Sequence, residues 1–262
     1  LKYIPKLPDS DFKGETLFIR IKREDGSYKV FSPLYVPTLD AMDRYECRVG
    51  LSYQKIVSEV YGVRTEVMIF VPPSADVVVR DIRVSNIGSL PREIDVIPVV
   101  EFSHFDAQKQ LINADWVPQT MQVDAEEQED GLVVLMQAAF MKKETQINFF
   151  TSNHSVDSFQ TDREKFLGNM GYGSWRWPAE LQNKHLSNYE ARRGNNIAAL
   201  LHSFNTLQPG ETRRIITQLG QGAPSAIGDM VVRYRSEGEV DQAFAELHTY
   251  WDRYLDAFQC ET

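Results

Sequence analysis

The 262-residue chain is 42% hydrophobic and 25% charged, the composition of a folded globular protein with length for one large all-β domain or two ordinary ones. Its formal net charge of −9, with basic residues interleaved among acids, excludes the clustered basic face that nucleic acid requires. No apolar run is long enough to cross a bilayer as a helix, so no membrane partner is expected.

The chain opens on "LKYIPKLPDSDF", with Leu1 where an initiator Met would stand, and reads as a processed or excised piece. From about Glu15 to Gln221, short β-rich runs alternate with turn chemistry. "ETLFIRIKREDGSYKVFS" is a hairpin whose Asp25-Gly26 supplies the positive-φ turn. "YECRVGLSYQKIVSEVYGVRTEVMIFVPP" reads as three strands bent at Gly50 and Gly62 and stopped by Pro72-Pro73. "DVVVRDIRVSN" and "REIDVIPVVEFSHF" follow, and the spacing of Ile94, Val96, Val100 and Phe102 turns one apolar face inward. Further strands fall at "PQTMQVD", "GLVVLMQAAF", "QINFFTS", "NIAALLHSF" and "TRRIITQLG", the last two joined by a Pro209-Gly210 turn. The acidic run "DAEEQED" at 124–130 reads as a solvated hairpin tip.

So many antiparallel-type runs without helical crossovers predict a mainly β protein, a large antiparallel sandwich whose two sheets cover each other's apolar faces. The end differs. In "EGEVDQAFAELHTYWDRYLDAF", Val240, Phe244, Leu247, Trp251, Tyr254 or Leu255, and Phe258 recur at helical steps, predicting a helix of about five turns with one apolar stripe. Such a stripe either folds back on the sandwich or meets a further domain.

Chemistry is sparse. The chain lacks a GxSxG elbow, an HExxH pair, a glycine-rich phosphate loop and a Cys/His cluster. Pairs such as Glu101 with Asp106, or Asp162 with Glu164, have the residue types for glycosidic cleavage, but 37 acids produce such pairs by chance. No catalytic or metal-ligating residue is therefore assigned. His104 and His202 sit in or beside strands and read as structural. Cys47 and Cys260 lie far apart and fit a reducing, cytoplasmic compartment. Sugar binding has better support: Asp162, Arg163, Glu164, Asn169, Tyr172, Trp175, Trp177, Arg192 and Arg193 offer planar hydrogen-bonding groups and flat aromatic faces within one glycine-rich stretch. The same residues would serve equally well in an ordered loop whose aromatics seal the sandwich edge.

Three runs carry a resemblance: "Y-x-C-R-x-G-L-x-Y" at 45–53, "V-x-x-F-V-P" at 67–72 and "F-x-T-D-R-E-x-F-L-G" at 159–168. From about residue 40 onward the chain resembles the amino-terminal domain of the glycoside hydrolase family 94 phosphorylases, among them cellobiose, cellodextrin, chitobiose and 1,2-β-oligoglucan phosphorylases. The resemblance implies a galactose-mutarotase-like super-sandwich at 1–221 and a helical linker at 222–262 leading to an (α/α) six-hairpin barrel absent from this chain. It places the catalytic Asp in that barrel, with inorganic phosphate as co-substrate, no other cofactor, and α-glucose 1-phosphate formed with inversion. It also implies a homodimer acting on a β-linked gluco-oligosaccharide, with Arg163 binding the acceptor sugar, Asp162 orienting Arg163, Glu164 beside them, and Trp175 or Trp177 stacking on a ring. The long segment from Gly171 to Asn196 departs from the cellobiose-specific form and favours longer β-glucans, β-1,2-linked above others. A stand-alone carbohydrate-binding or architectural sandwich is the alternative, and it would have no need of the terminal aromatic stripe.

Overall fold

Turn geometry sets most of the strand breaks. Gly26 (φ 82°) closes the first hairpin and Gly210 (φ 81°) the last, while Tyr61 and Gly62 (φ 53° and 74°) form a primed turn, the kind whose twist matches flanking strands. Gly50 answers a different demand, because a Cβ there would lie 2.0 Å from the Tyr53 ring. The computed structural model describes residues 14–104, 107–113, 116–140, 145–168 and 174–256. In chain order the strands are β1 (Glu15–Lys22), β2 (Tyr28–Phe31), β3 (Arg44–Gly50), β4 (Tyr53–Val60), β5 (Val63–Phe70), β6 (Val77–Asn86), β7 (Arg92–Glu101), β8 (Met121–Glu127), β9 (Val133–Ala139), β10 (Ile147–Ser152), β11 (Ser158–Asp162), β12 (Asn196–Leu207) and β13 (Thr212–Gly222). The helices are α1 (Ala107–Ile112), α2 (Arg163–Leu167), α3 (Pro224–Arg233) and α4 (Glu237–Asp256).

Two antiparallel sheets result, one ordered β11-β12-β7-β1-β2 and the other β3-β4-β5-β6-β13-β10-β9-β8. Their facing sides share two apolar clusters. Leu17, Ile19, Val96 and Phe204 meet Val67, Ile82, Val84 and Ile215 at one end, and Val100, Ala198 and Leu200 meet Leu135, Phe150 and Leu219 at the other. Arg80 of β6 crosses this interior, 1% exposed, donating from Nη1 to the Thr16 carbonyl and from Nε to Thr217 Oγ1, both at 3.2 Å. Burial pulls its pKa below the ordinary guanidinium value, and the Glu15 carboxylate 3.1 Å away opposes that shift.

Several expectations are corrected in detail. β7 buries both faces, since Ile97 and Val99 join Phe18, Phe166 and Trp175 under a coil that covers the outer side of the five-stranded sheet. The first residues of "PQTMQVD" form a 3-10 turn at 117–120, so β8 begins at Met121. Residues 124–127 of the acidic run lie in β8, and the reversal itself spans 128–131. The stretch from Phe159 opens as strand and helix (β11 and α2), where the sequence reads as irregular.

The terminal helix folds back for about half its length. Ile227 and Val231 of α3 and Val240, Ala243 and Leu247 of α4 are buried against Phe70, Val79 and Phe149 on the outer side of the eight-stranded sheet. Beyond Leu247 the stripe surfaces: Trp251 is partly buried and donates from Nε1 to Ser52 Oγ at 2.9 Å, while Tyr250, Tyr254 and Leu255 are exposed. Phe258 and Cys260 lie outside the described residues. No helix among the described residues is long and apolar enough to cross a membrane.

Candidate functional site

The charged stretch is built on a bulge. Gln160 Oε1 accepts from the amides of both Thr161 and Asp162 at 2.9 Å, and the β11–β12 register slips between Gln160 and Asp162. Asp162, in extended conformation, then caps α2 by accepting from Lys165 N at 3.0 Å. Arg163 becomes the first helical residue, its amide donating to the Asn195 carbonyl at 3.1 Å.

The Arg163 guanidinium leans on a buried carboxylate: Nε lies 3.6 Å from Glu101 Oε1, with side-chain exposures of 17% and 0%. Asp162 is thus engaged by the Lys165 amide, and the acid beside Arg163 is Glu101 at the end of β7. The sequence carries a sign of this, an acid directly after the apolar run "VIPVV" where a strand end enters the core. Glu164 is exposed in the first turn of α2, where an acid complements the helix dipole.

Trp175 is corrected. It is 1% exposed, its ring 5.9 Å from that of Phe166, and packs with Leu181, Leu186 and Ile197 under the coil. A ring sealed in a core cannot stack on a sugar, so of the two readings for this residue the sealing one holds. Trp177 is 59% exposed with the Arg176 guanidinium 5.8 Å from its centroid, which leaves a face for a ligand. Arg192 is engaged by Asp124 and Glu190. Arg193 is exposed, and Asn169, Tyr172 and Asp106 lie outside the described residues.

The coil from 174 to 195 is held by side-chain bonds to backbone. Thr161 Oγ1 donates to the Tyr189 carbonyl at 2.6 Å and accepts from Ala191 N at 2.7 Å. Glu180 accepts from the Gln160 amide and from Ser187 N at 2.8 Å. Beside Glu101, a row of buried amides runs Asn196–Gln137–Asn148, Gln137 donating to Asn196 Oδ1 at 3.0 Å and Asn148 to Gln137 Oε1 at 2.9 Å. A cleft of about 450 Å³ opens nearby between Val78, Val100, Phe102, Asn148 and Leu219, room for a sugar, with Asp76 as the carboxylate on its wall.

Among the described residues no group of three or more His, Cys, Asp and Glu could hold a metal ion. His202 is fully buried and structural, and burial pushes its pKa down to about 4, with Ser155 O accepting from Nδ1 at 2.8 Å. Arg163 is thus partly exposed beside Glu101 and Trp177 is exposed, and no assembled acid–base pair is present among the described residues.

Such features define a two-sheet supersandwich with a charged, well-anchored loop at one end. The glycosyl hydrolase 94 supersandwich-domain model matches residues 1–237, and the chain belongs to that family. It is 29% identical over 253 residues to an N,N'-diacetylchitobiose phosphorylase of Vibrio furnissii, covering 95% of this chain and 30% of that protein. A cellobionic acid phosphorylase of Neurospora crassa is 26% identical over 253 residues, covering 94% and 30%. A solabiose phosphorylase of Paenibacillus borealis is 24% identical over 243 residues, covering 90% and 30%. The chain thus spans about 30% of the length of these curated relatives. A bacterial glucoamylase solved with acarbose superimposes with a TM-score of 0.60 at 11% identity, over 95% of this chain and 33% of that one, a likeness of fold alone.

Proposed function

We propose that this chain is the sandwich and linker portion of an inverting glycoside phosphorylase acting on β-linked gluco-oligosaccharides. The observation that carries the reading is the family match over 1–237 together with relatives that are phosphorylases. In this reading 1–221 is the sandwich and 222–262 the linker to an (α/α) barrel. A barrel Asp protonates the glycosidic oxygen while a phosphate oxygen attacks the anomeric carbon, giving α-glucose 1-phosphate and a shortened sugar. The present chain supplies support and the acceptor side of the site, in its own subunit or a neighbouring one, and is inactive alone.

Arg163 is the acceptor-binding group, because a guanidinium held by a buried carboxylate is oriented before the sugar arrives and can bond two hydroxyls in one plane. Trp177 is the aromatic face, and Glu164 stands beside them. Arg163→Ala in the barrel-containing protein should raise the acceptor KM about tenfold or more while leaving the phosphate KM within about twofold, the signature of lost binding at one subsite. An unchanged acceptor KM removes Arg163 from the site. Phosphate release should be assayed with β-1,2-, β-1,3- and β-1,4-linked glucans, for the chain alone and for the barrel-containing protein. Activity only with the barrel supports the reading and names the linkage, and activity in neither supports a sandwich that only binds or scaffolds.

A further inference from the structure

The two sheets part at one end. There β7 of the five-stranded sheet ends just before Phe102, while in the eight-stranded sheet β6 begins at Val77, β10 begins at Ile147 and β13 finishes at Gly222. Val100, Phe102 and Leu219 belong to the interior apolar cluster at that end, and Val78 packs against it. The same four residues line the cleft of about 450 Å³, so the core surfaces there instead of closing over itself.

The cleft walls are polar and fixed. Asn148, more than nine-tenths buried, donates both amide hydrogens, to the Ser103 carbonyl at 2.6 Å and to Gln137 Oε1 at 2.9 Å, which leaves Oδ1 as the acceptor it offers the cleft. Asp76 carries an exposed carboxylate with no side-chain hydrogen bond or ion pair among the described residues. Its position is pinned from both sides, because Gln221 N donates to the Asp76 carbonyl at 3.2 Å and Ala75 N to the Pro72 carbonyl at 3.3 Å. Gln146 and Gln221 add side-chain amides, each a donor and an acceptor. Among the described residues no Lys, Arg or His lines the cleft.

Each feature narrows the ligand. An apolar floor with one aromatic ring accepts the C–H face of a sugar, and amides that both give and accept suit hydroxyl groups. A carboxylate with no cation beside it, in a chain of net charge −9, repels an anion. A wholly apolar ligand would leave Asn148 Oδ1 and Asp76 without partners, and an ammonium ligand would leave the amide donors of Gln146 and Gln221 unused. We propose that this cleft binds one uncharged pyranose ring, its C–H face on Phe102 and Leu219 and its hydroxyls on Asn148, Asp76 and the two glutamines. Sugar phosphates and sugar acids are excluded by charge. Asn148 and the Asp76 turn are already held by bonds within the chain, so little ordering is left for binding to cost. Neither Arg163 nor Trp177 lines the cleft, so this site stands or falls independently of the acceptor role given to them above.

Magnetic-resonance titration of the isotope-labelled chain with methyl β-glucopyranoside should shift the amides of Asp76, Val77, Ser103, Asn148 and Gln221 saturably, with a Kd of about 1 mM. α-Glucose 1-phosphate and gluconate should bind about tenfold more weakly or less well still. Asp76→Ala and Gln221→Ala, both at exposed positions, should each weaken the sugar about fivefold to tenfold without altering the melting temperature. Arg163→Ala should leave the shifts as they are. No saturable shift at these amides overturns the proposal, and so does equal affinity for glucose 1-phosphate. Glycerol matching the sugar mole for mole would mean a polar surface without a shaped site and would sink it too. Shifts that persist in the Asp76→Ala Gln221→Ala double variant, or that vanish with Arg163→Ala alone, would place the sugar elsewhere on the chain and overturn the assignment.

Discussion

The outer faces of the two sheets are covered by different material. Over the five-stranded sheet lies mostly coil, joined by the single turn of α2, and over the eight-stranded sheet lie the helices α3 and α4. Helices satisfy their own backbone, so their cover needs only an apolar stripe: Ile227, Val231, Val240, Ala243 and Leu247. One charged cluster adds to it. Arg214 of β13 grips Asp81 and reaches Asp241 at 2.6 Å, and although burial works against its charge, those carboxylates raise its pKa. Coil cannot satisfy itself and must borrow partners. Arg20, 1% exposed, donates to the carbonyls of Leu181, Asn183 and Lys184 while its Nε bonds Asp95 across the strand pair. Polar groups buried inside the coil cover do there what helical hydrogen bonds do elsewhere.

The comparison can be broken from either side. Arg20→Ala leaves three carbonyls and Asp95 without their donor, and should cost about 3–5 kcal/mol in denaturant unfolding, with proteolysis appearing first near 181–184. A loss under 1 kcal/mol, or cutting elsewhere, would mean that the coil holds by apolar contact alone. Leu247→Ala removes a single anchor of the helical cover and should cost about 3 kcal/mol, with no change in the protection of the coil. If it loosened 181–184 as well, the two covers would be one cooperative unit.

A third effect, spread over pH, belongs to the five-stranded sheet itself. His202 is neutral in the folded chain, with a pKa near 4 against 6.5 for an unperturbed imidazole. The unfolded chain therefore binds the extra proton between those values, and stability falls as pH drops from about 6.5 toward 4, by at most about 1.4 kcal/mol per pH unit. His202→Gln should flatten that part of the profile by the same slope. An unaltered slope would show that His202 is not the group responsible.

The loop carrying Arg163 shows how far a sequence can be read. Its local shape was only partly legible. The stretch reads as irregular in sequence although Asp162 caps a helical turn, and the acid that meets Arg163 is sixty-odd positions away, so pairing across strands decides that contact. Trp175 and Trp177 look alike in sequence, two residues apart and both next to Arg176. One is sealed against Phe166 and the other is exposed, because Trp175 sits where the coil crosses β7 and β12 and Trp177 just past it.

By itself the sequence determined the strand inventory, most of the turns, the absence of helical crossovers and the amphipathic end, because alternation, glycine and proline act within a few residues. Tertiary structure alone decided that β7 is buried on both faces, that coil and the short helix α2 cover its outer face, that Leu247 is docked while Tyr254 is exposed, and that β3 is left as the open edge. Those outcomes depend on which strands become neighbours, and strand order is set by the summed burial of residues far apart in the chain, a quantity that no local window contains.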